Sequence, residues 1–105
     1  MPAEVDTQAA FDSVVDGLSS DGAIAGKMFG MPCIKIGGKA FAGYFNGDMV
    51  FKLRGPAHER ALALEGAQLF DPMGGRPMKE WVQVPATHES KWPDLAQTAI
   101  KLRAG

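Results

Sequence analysis

Apolar positions recur with helical spacing near both ends of this chain and with strand-like spacing in between. Phe11, Val14, Val15 and Leu18 fall at i, i+3, i+4 and i+7, the buried stripe of one helix, with Asp12 and Asp16 on the opposite, solvated side. Asp6 or Thr7 can cap its start, and Gly17 with Ser19-Ser20-Asp21-Gly22 ends it. Strand signals come next over residues 24–29 (interrupted by Gly26), 32–36, 39–45 and 48–54. Gly37-Gly38 and Asn46-Gly47 supply tight turns between the last three. Connections this short cannot make parallel crossovers, so the strands form an antiparallel meander.

Gly55-Pro56 opens a second helix, with proline in the first turn where its missing N–H costs nothing. That helix runs to about Leu64 and stops at Gly66. Leu69-Phe70 then leads into a loop, Asp71-Pro72-Met73-Gly74-Gly75-Arg76-Pro77, and residues 79–84 make a fifth strand ended by Pro85. The last helix starts between Ser90 and Pro93. Trp92, Leu95, Ala96, Ala99 and Ile100 hold its stripe, and Lys101 and Arg103 suit the negative end of its dipole. The order α-β-β-β-β-α-β-α predicts an α+β fold, an antiparallel meander of about five strands with three helices packed mainly on one sheet face.

The Asn46-Gly47 turn admits two registers with opposite consequences for that sheet. As a two-residue loop it pairs Phe45 with Asp48. Phe41, Gly43 and Phe45 then share a face with Val50 and Lys52, while Met49, Phe51 and Leu53 join Tyr44, and both faces come out half apolar. As a three-residue loop with a bulge at Gly47 it pairs Tyr44 with Asp48. One face then collects Phe41, Phe45, Met49, Phe51 and Leu53, joined by Ile34 and Ile36 across a two-residue Gly37-Gly38 loop. The other face holds Cys33, Lys35, Ala42, Tyr44, Val50, Lys52 and Arg54. The second register separates apolar from polar more cleanly, so it is the one expected, with the helices over the Phe41/Phe51/Leu53 face.

Length changes this picture only by confining it to one domain, residues 1–105. A hydrophobic content of 46% against 22% charged residues marks a chain that packs a core. The net charge of −1 supplies no global field to draw nucleic acid or an anionic membrane. Cys33 is the single cysteine, so no intramolecular disulfide forms. The acidic start Met1-Pro2-Ala3-Glu4-Val5-Asp6 lacks the basic and apolar regions of a signal peptide, and no apolar run approaches the roughly 20 residues that span a bilayer. Together these point to the cytoplasm.

A series of short pieces carries a family likeness. Lys27-Met28-Phe29-Gly30 is succeeded by Gly37-Gly38-Lys39, Phe41-Ala42, Gly47-Asp48 and Val50-Phe51-Lys52-Leu53. Phe70, Met78, Trp81 and Val84-Pro85 come next, and an amphipathic helix closes the chain. From about Lys27 to its end the chain resembles the TfoX/Sxy N-terminal domain family, with a secondary likeness to the MmcQ/YjbR-like family. Met31 stands where the family often has a glycine, and Trp81 where a smaller ring is usual. The resemblance implies a cytoplasmic bacterial module linked to competence gene regulation, and it brings no established catalytic residues with it.

Candidate chemistry is sparse. Cys33 with His58 or His88 has the residue types of a nucleophile and base, but no local signature joins them, and a small buried cysteine with two surface histidines is the plainer expectation. There is no Cys-x-x-Cys and no His-x-x-x-His, so neither a metal nor another cofactor is expected. Gly74-Gly75-Arg76 and Gly37-Gly38-Lys39 lack the strand–loop–helix setting of a phosphate loop and read as turns. Met28, Met31, Met49, Met73 and Met78 read as core filler.

The sharper candidate is one sheet surface bearing Lys35, Tyr44, Lys52 and Arg54, extended by Lys79, Trp81 and Gln83. Cations interleaved with rings suit an anionic ligand, and the apolar remainder of the face, Val50, Tyr44 and Trp81, suits a second copy of the chain, so a protein or small-ligand partner is expected. The alternative is a nucleic-acid platform that contacts phosphates and stacks bases, which the near-zero charge disfavours. A non-catalytic interaction or regulatory module is therefore the expected function, and no membrane partner is expected.

Overall fold

The structure, a computed structural model, describes residues 7–28, 31–45, 47–71, 74–75 and 77–104. Asp6, Phe29, Gly30, Asn46, Pro72, Met73 and Arg76, and the side chains of Thr7, Met28 and Arg103, on which some expectations rest, lie outside the described residues. Helix α1 is Thr7–Leu18 and runs on through Gly17. A short 3-10 turn, Ser19–Asp21, closes it on Gly22, whose φ of 89° is the left-handed conformation that glycine adopts without strain. Four strands come next in a meander: β1 (Ile24–Met28), β2 (Met31–Ile36), β3 (Lys39–Phe45) and β4 (Asp48–Lys52). After them are α2 (Pro56–Leu62), β5 (Gln68–Phe70), β6 (Met78–Val84), a 3-10 turn over Ala86–Lys91, and α3 (Trp92–Ala104).

All six strands form one antiparallel sheet in the order β1-β2-β3-β4-β6-β5. The sheet has one strand more than the sequence suggests. Gln68 and Leu69 pair with Gln83 and Val82 on the outer side of β6, and three residues are too few for an alternating pattern to show. Gly37 and Gly38 both take positive φ, 58° and 80°, which fits the type I′ connection that the right-handed twist of a hairpin favours.

The expected register of the central hairpin is corrected. Phe45 pairs with Asp48, Tyr44 with Met49, Gly43 with Val50 and Ala42 with Phe51, so the connection is the two-residue Asn46-Gly47 loop. The irregularity lies one strand earlier. Ile34 pairs with Ala42 and Lys35 with Ala40, leaving Phe41 as an extra residue in β3. This bulge turns Phe41 to the same side as Ala42, and both belong to the helix-side core with no exposed surface.

That core gathers Ile34, Met49, Phe51, Leu53, Val82 and Val84 from the sheet. Phe11, Val14 and Leu18 of α1, Ala61 of α2, and Trp92, Ala96, Ala99 and Ile100 of α3 pack onto them. Phe45, expected here, lies instead in a second cluster that contains no helical residue. Met31, Val50, Phe70 and Trp81 form it, with Phe45, Ala40 and Met78 packed against them. The Phe45 and Phe70 rings meet edge to face at 5.1 Å. The helices therefore cover one face, and the other carries a smaller apolar cluster of its own.

One polar contact ties the sheet to the approach of the last helix. The Asp48 carboxylate accepts from Gln83 Nε2 at 2.9 Å through one oxygen and from the Ala86 backbone N–H at 3.0 Å through the other. Asp48 opens β4 directly after the hairpin turn, Gln83 belongs to β6, and Ala86 begins the turn that leads into α3.

Phe41→Ala is expected to cost about 3–5 kcal/mol, the usual cost of emptying a fully buried aromatic site. Phe45→Ala is expected to cost roughly half of that or less, because Phe45 is only half buried. Urea or guanidinium unfolding of both variants checks the ranking, and equal costs would contradict the two-residue register, which leaves Phe45 outside the helix-side core.

Candidate functional site

The six residues singled out from the sequence do not share one surface. Tyr44 points to the helix side, where its ring meets Phe11 at 5.4 Å. Trp81 lies on the other side but is only 7% exposed, shut in beside Val50 and Phe70. A stacking platform needs open ring faces on one surface; Trp81 is shut in and Tyr44, partly buried, turns to the opposite side of the sheet. Lys35 is half-buried on β2, with its aliphatic stem lying over Gly26. Lys79 is exposed on β6.

Lys52 and Arg54 are brought together. They line a surface notch of about 70 Å³ with Leu53, Glu80 and Leu102, where the end of β4, its neighbour β6 and the C-terminal part of α3 converge. Lys52 Nζ stands 3.7 Å from Glu80 Oε1. Both groups are solvent-accessible, so this pair holds Lys52 only loosely. Arg54 Nη2 donates to the Leu102 carbonyl at 3.1 Å. Leu102 lies in the last turn of α3, so the guanidinium satisfies a carbonyl left over at that helix end and sits at the negative pole of its dipole. Arg54 thus has a structural task beside any binding one. Glu80 and Leu102 are the parts of the notch that sequence alone does not reveal. Glu80 reads as one more alternating strand residue, and nothing in the local pattern around Leu102 brings it near Lys52.

The remaining chemistry-bearing residues serve the fold. His58 Nε2 lies 2.7 Å from the Lys79 carbonyl, and His88 Nε2 lies 2.9 Å from the Glu65 carbonyl. A carbonyl only accepts, so each ring carries its hydrogen on Nε2 and donates it. Cys33 is fully buried on β2, flanked across the ladder by Gly26 and Gly43. A side chain at Gly43 would collide with the Met31 methyl, and one at Gly26 would crowd the Lys35 stem. Met31 and Lys35 are two residues either side of Cys33 on the same strand face. Burial pushes that thiol up, with the Lys35 ammonium pulling it partway back. A sealed, protonated thiol and two imidazoles bonded to backbone give a nucleophile–base pair no geometric support.

The glycine-rich segments are turns. In the Asp71–Pro77 loop the Gly75 N–H donates to both oxygens of the Asp71 carboxylate, at 3.1 and 2.9 Å. Among the described residues, no three His, Cys, Asp or Glu side chains gather as metal ligands. No helix among those residues is long and apolar enough to cross a membrane. Set against protein families, curated proteins and solved structures, the chain matches none.

Cys33 is expected to resist thiol reagents in the native protein. Its labelling rate at neutral pH should be suppressed by a factor on the order of 10³ relative to the unfolded chain and should rise along the denaturant unfolding curve. The pH dependence has a definite sign. The folded thiol keeps its proton to higher pH than the unfolded one, so its contribution to stability is fully present below the ordinary thiol value and is lost as pH rises through the folded one. Fast native labelling at neutral pH would show that Cys33 is reached from solvent in the folded chain.

Proposed function

We propose that this chain is a non-catalytic, cytoplasmic interaction module of the TfoX N-terminal type, and that it takes a protein partner through an acidic group placed in the Lys52–Arg54 notch. The observation that carries this reading is the make-up of the notch: two cations and one carboxylate, open to solvent, on an otherwise near-neutral molecule. An incoming carboxylate competes with Glu80 for Lys52 and gains the Arg54 guanidinium, whose planar fork suits carboxylates. The family likeness supports a regulatory rather than a catalytic task.

Nucleic acid is the weaker alternative. With Tyr44 and Trp81 turned inward, only phosphate contacts to the surface cations are left, and those depend strongly on salt.

Affinity capture with the wild-type chain, then comparison with variants, tests the notch. Lys52→Glu with Arg54→Glu is expected to reduce recovery of the specific partner roughly tenfold or more, while Lys39→Glu at the start of β3 leaves it unchanged. Glu80→Gln is expected to strengthen capture, because it removes the competing carboxylate. Partner recovery that ignores Lys52 and Arg54 would overturn the assignment. So would recovery of nucleic acid whose binding falls linearly on a log–log plot against salt.

A further inference from the structure

Helix α2 and the start of α3 face each other without closing. Ala57, Arg60, Ala61 and Leu64 step along α2 and the turn after it at i, i+3, i+4 and i+7. Lys91, Asp94, Leu95 and Thr98 repeat the same spacing into α3. Between these stripes lies a cleft of about 230 Å³, more than the notch encloses. The two histidine bonds hold the walls in place. His58 fastens the first turn of α2 to the Lys79 carbonyl of β6, and His88 fastens the turn before α3 to the Glu65 carbonyl just beyond α2. The separation is thus fixed before any ligand arrives, which lowers the ordering cost of binding.

The lining divides by chemistry. Ala57, Ala61, Leu64 and Leu95 are apolar and pack at the margin of the main core. The Thr98 hydroxyl is committed to the Asp94 carbonyl at 3.0 Å. Arg60 and Lys91 stand exposed at the rim and, among the described residues, make no ion pair. With Asp94 as the one carboxylate against them, the rim is net cationic.

We propose that this cleft is a binding site for a small amphipathic carboxylate, its alkyl body on Leu64 and Leu95 and its head group between Arg60 and Lys91. A volume below the ~300–1,000 Å³ of drug-sized pockets limits the ligand to a short chain. Arginine supplies the planar, bidentate recognition that a carboxylate matches. The site is separate from the Lys52–Arg54 notch, so each assignment stands or falls alone.

Amide NMR of the full chain, titrated with octanoate below its micelle concentration, tests the proposal. Saturable shifts centred on residues 57–64 and 91–98 are expected. Affinity should fall by up to about fourfold for each methylene removed on going to hexanoate. Octanamide, which lacks the charge, should bind roughly tenfold more weakly or worse, and Arg60→Glu with Lys91→Glu should weaken octanoate by a similar factor. Both substituted positions are exposed, so an unchanged spectrum away from the cleft confirms that the variant folds. Lys52→Glu should bind octanoate like the wild type. No saturable shift, shifts centred elsewhere, equal affinity for octanamide and octanoate, or binding insensitive to the double charge reversal would each overturn the site.

Discussion

In β4 the consecutive residues Met49, Val50 and Phe51 are all shut away from water, although neighbours on a strand point to opposite faces. Both faces of this sheet must therefore be covered, and the rest of the architecture answers to that demand. Three helices close one side. The other is closed by the sheet's own side chains, where Phe70 of β5 reaches the ring of Phe45 on β3 and clusters with Val50, Trp81 and Met31. An antiparallel sheet is often wet on one face, but this one is wet on neither at its centre.

This constraint explains which parts of the fold are legible in the sequence. The helical stripes of α1 and α3 and the glycine turns declare themselves locally, and element order comes with them. The hairpin register does not. Choosing it by the cleanest separation of apolar from polar residues assumes one wet face, and the true register leaves both faces mixed. The chain resolves the conflict with the bulge at Phe41, which brings two successive residues, Phe41 and Ala42, to the helix side. A bulge inside a strand has no signature as plain as Asn-Gly, so pattern alone finds the side on which Phe41 lies but not its cause. The wrong register puts Tyr44 and Phe45 on exchanged sides.

The candidate site is legible to a similar degree. Alternation along β4 and on past its end is enough to bring Lys52 and Arg54 near one another. It does not reveal that Arg54 gives a hydrogen bond to the end of α3, or that Glu80 leans in from β6, because both depend on how elements distant in sequence are docked. The α2–α3 cleft is invisible for the same reason. Its two stripes look like ordinary amphipathic faces until the histidine bonds set the distance between them. The histidines, which suggest chemistry in isolation, each bond a backbone carbonyl of a neighbouring element, and the cysteine grouped with them in that suggestion is fully buried.

The double grip of Asp48 gives the fold a way of checking itself. One carboxylate holds both Gln83 in the sheet and the backbone at Ala86, where the chain leaves for its last helix. Were the central hairpin to slip by one residue, either Gly47 or Met49 would arrive at that position, and neither carries a carboxylate to make these two bonds. The exit toward α3 would then lose its tether at the same moment that the strands lost their pairing. Docking of the final helix and the threading of the hairpin are thereby coupled through one side chain, each hydrogen bond to a charged group contributing about 1.5–3 kcal/mol.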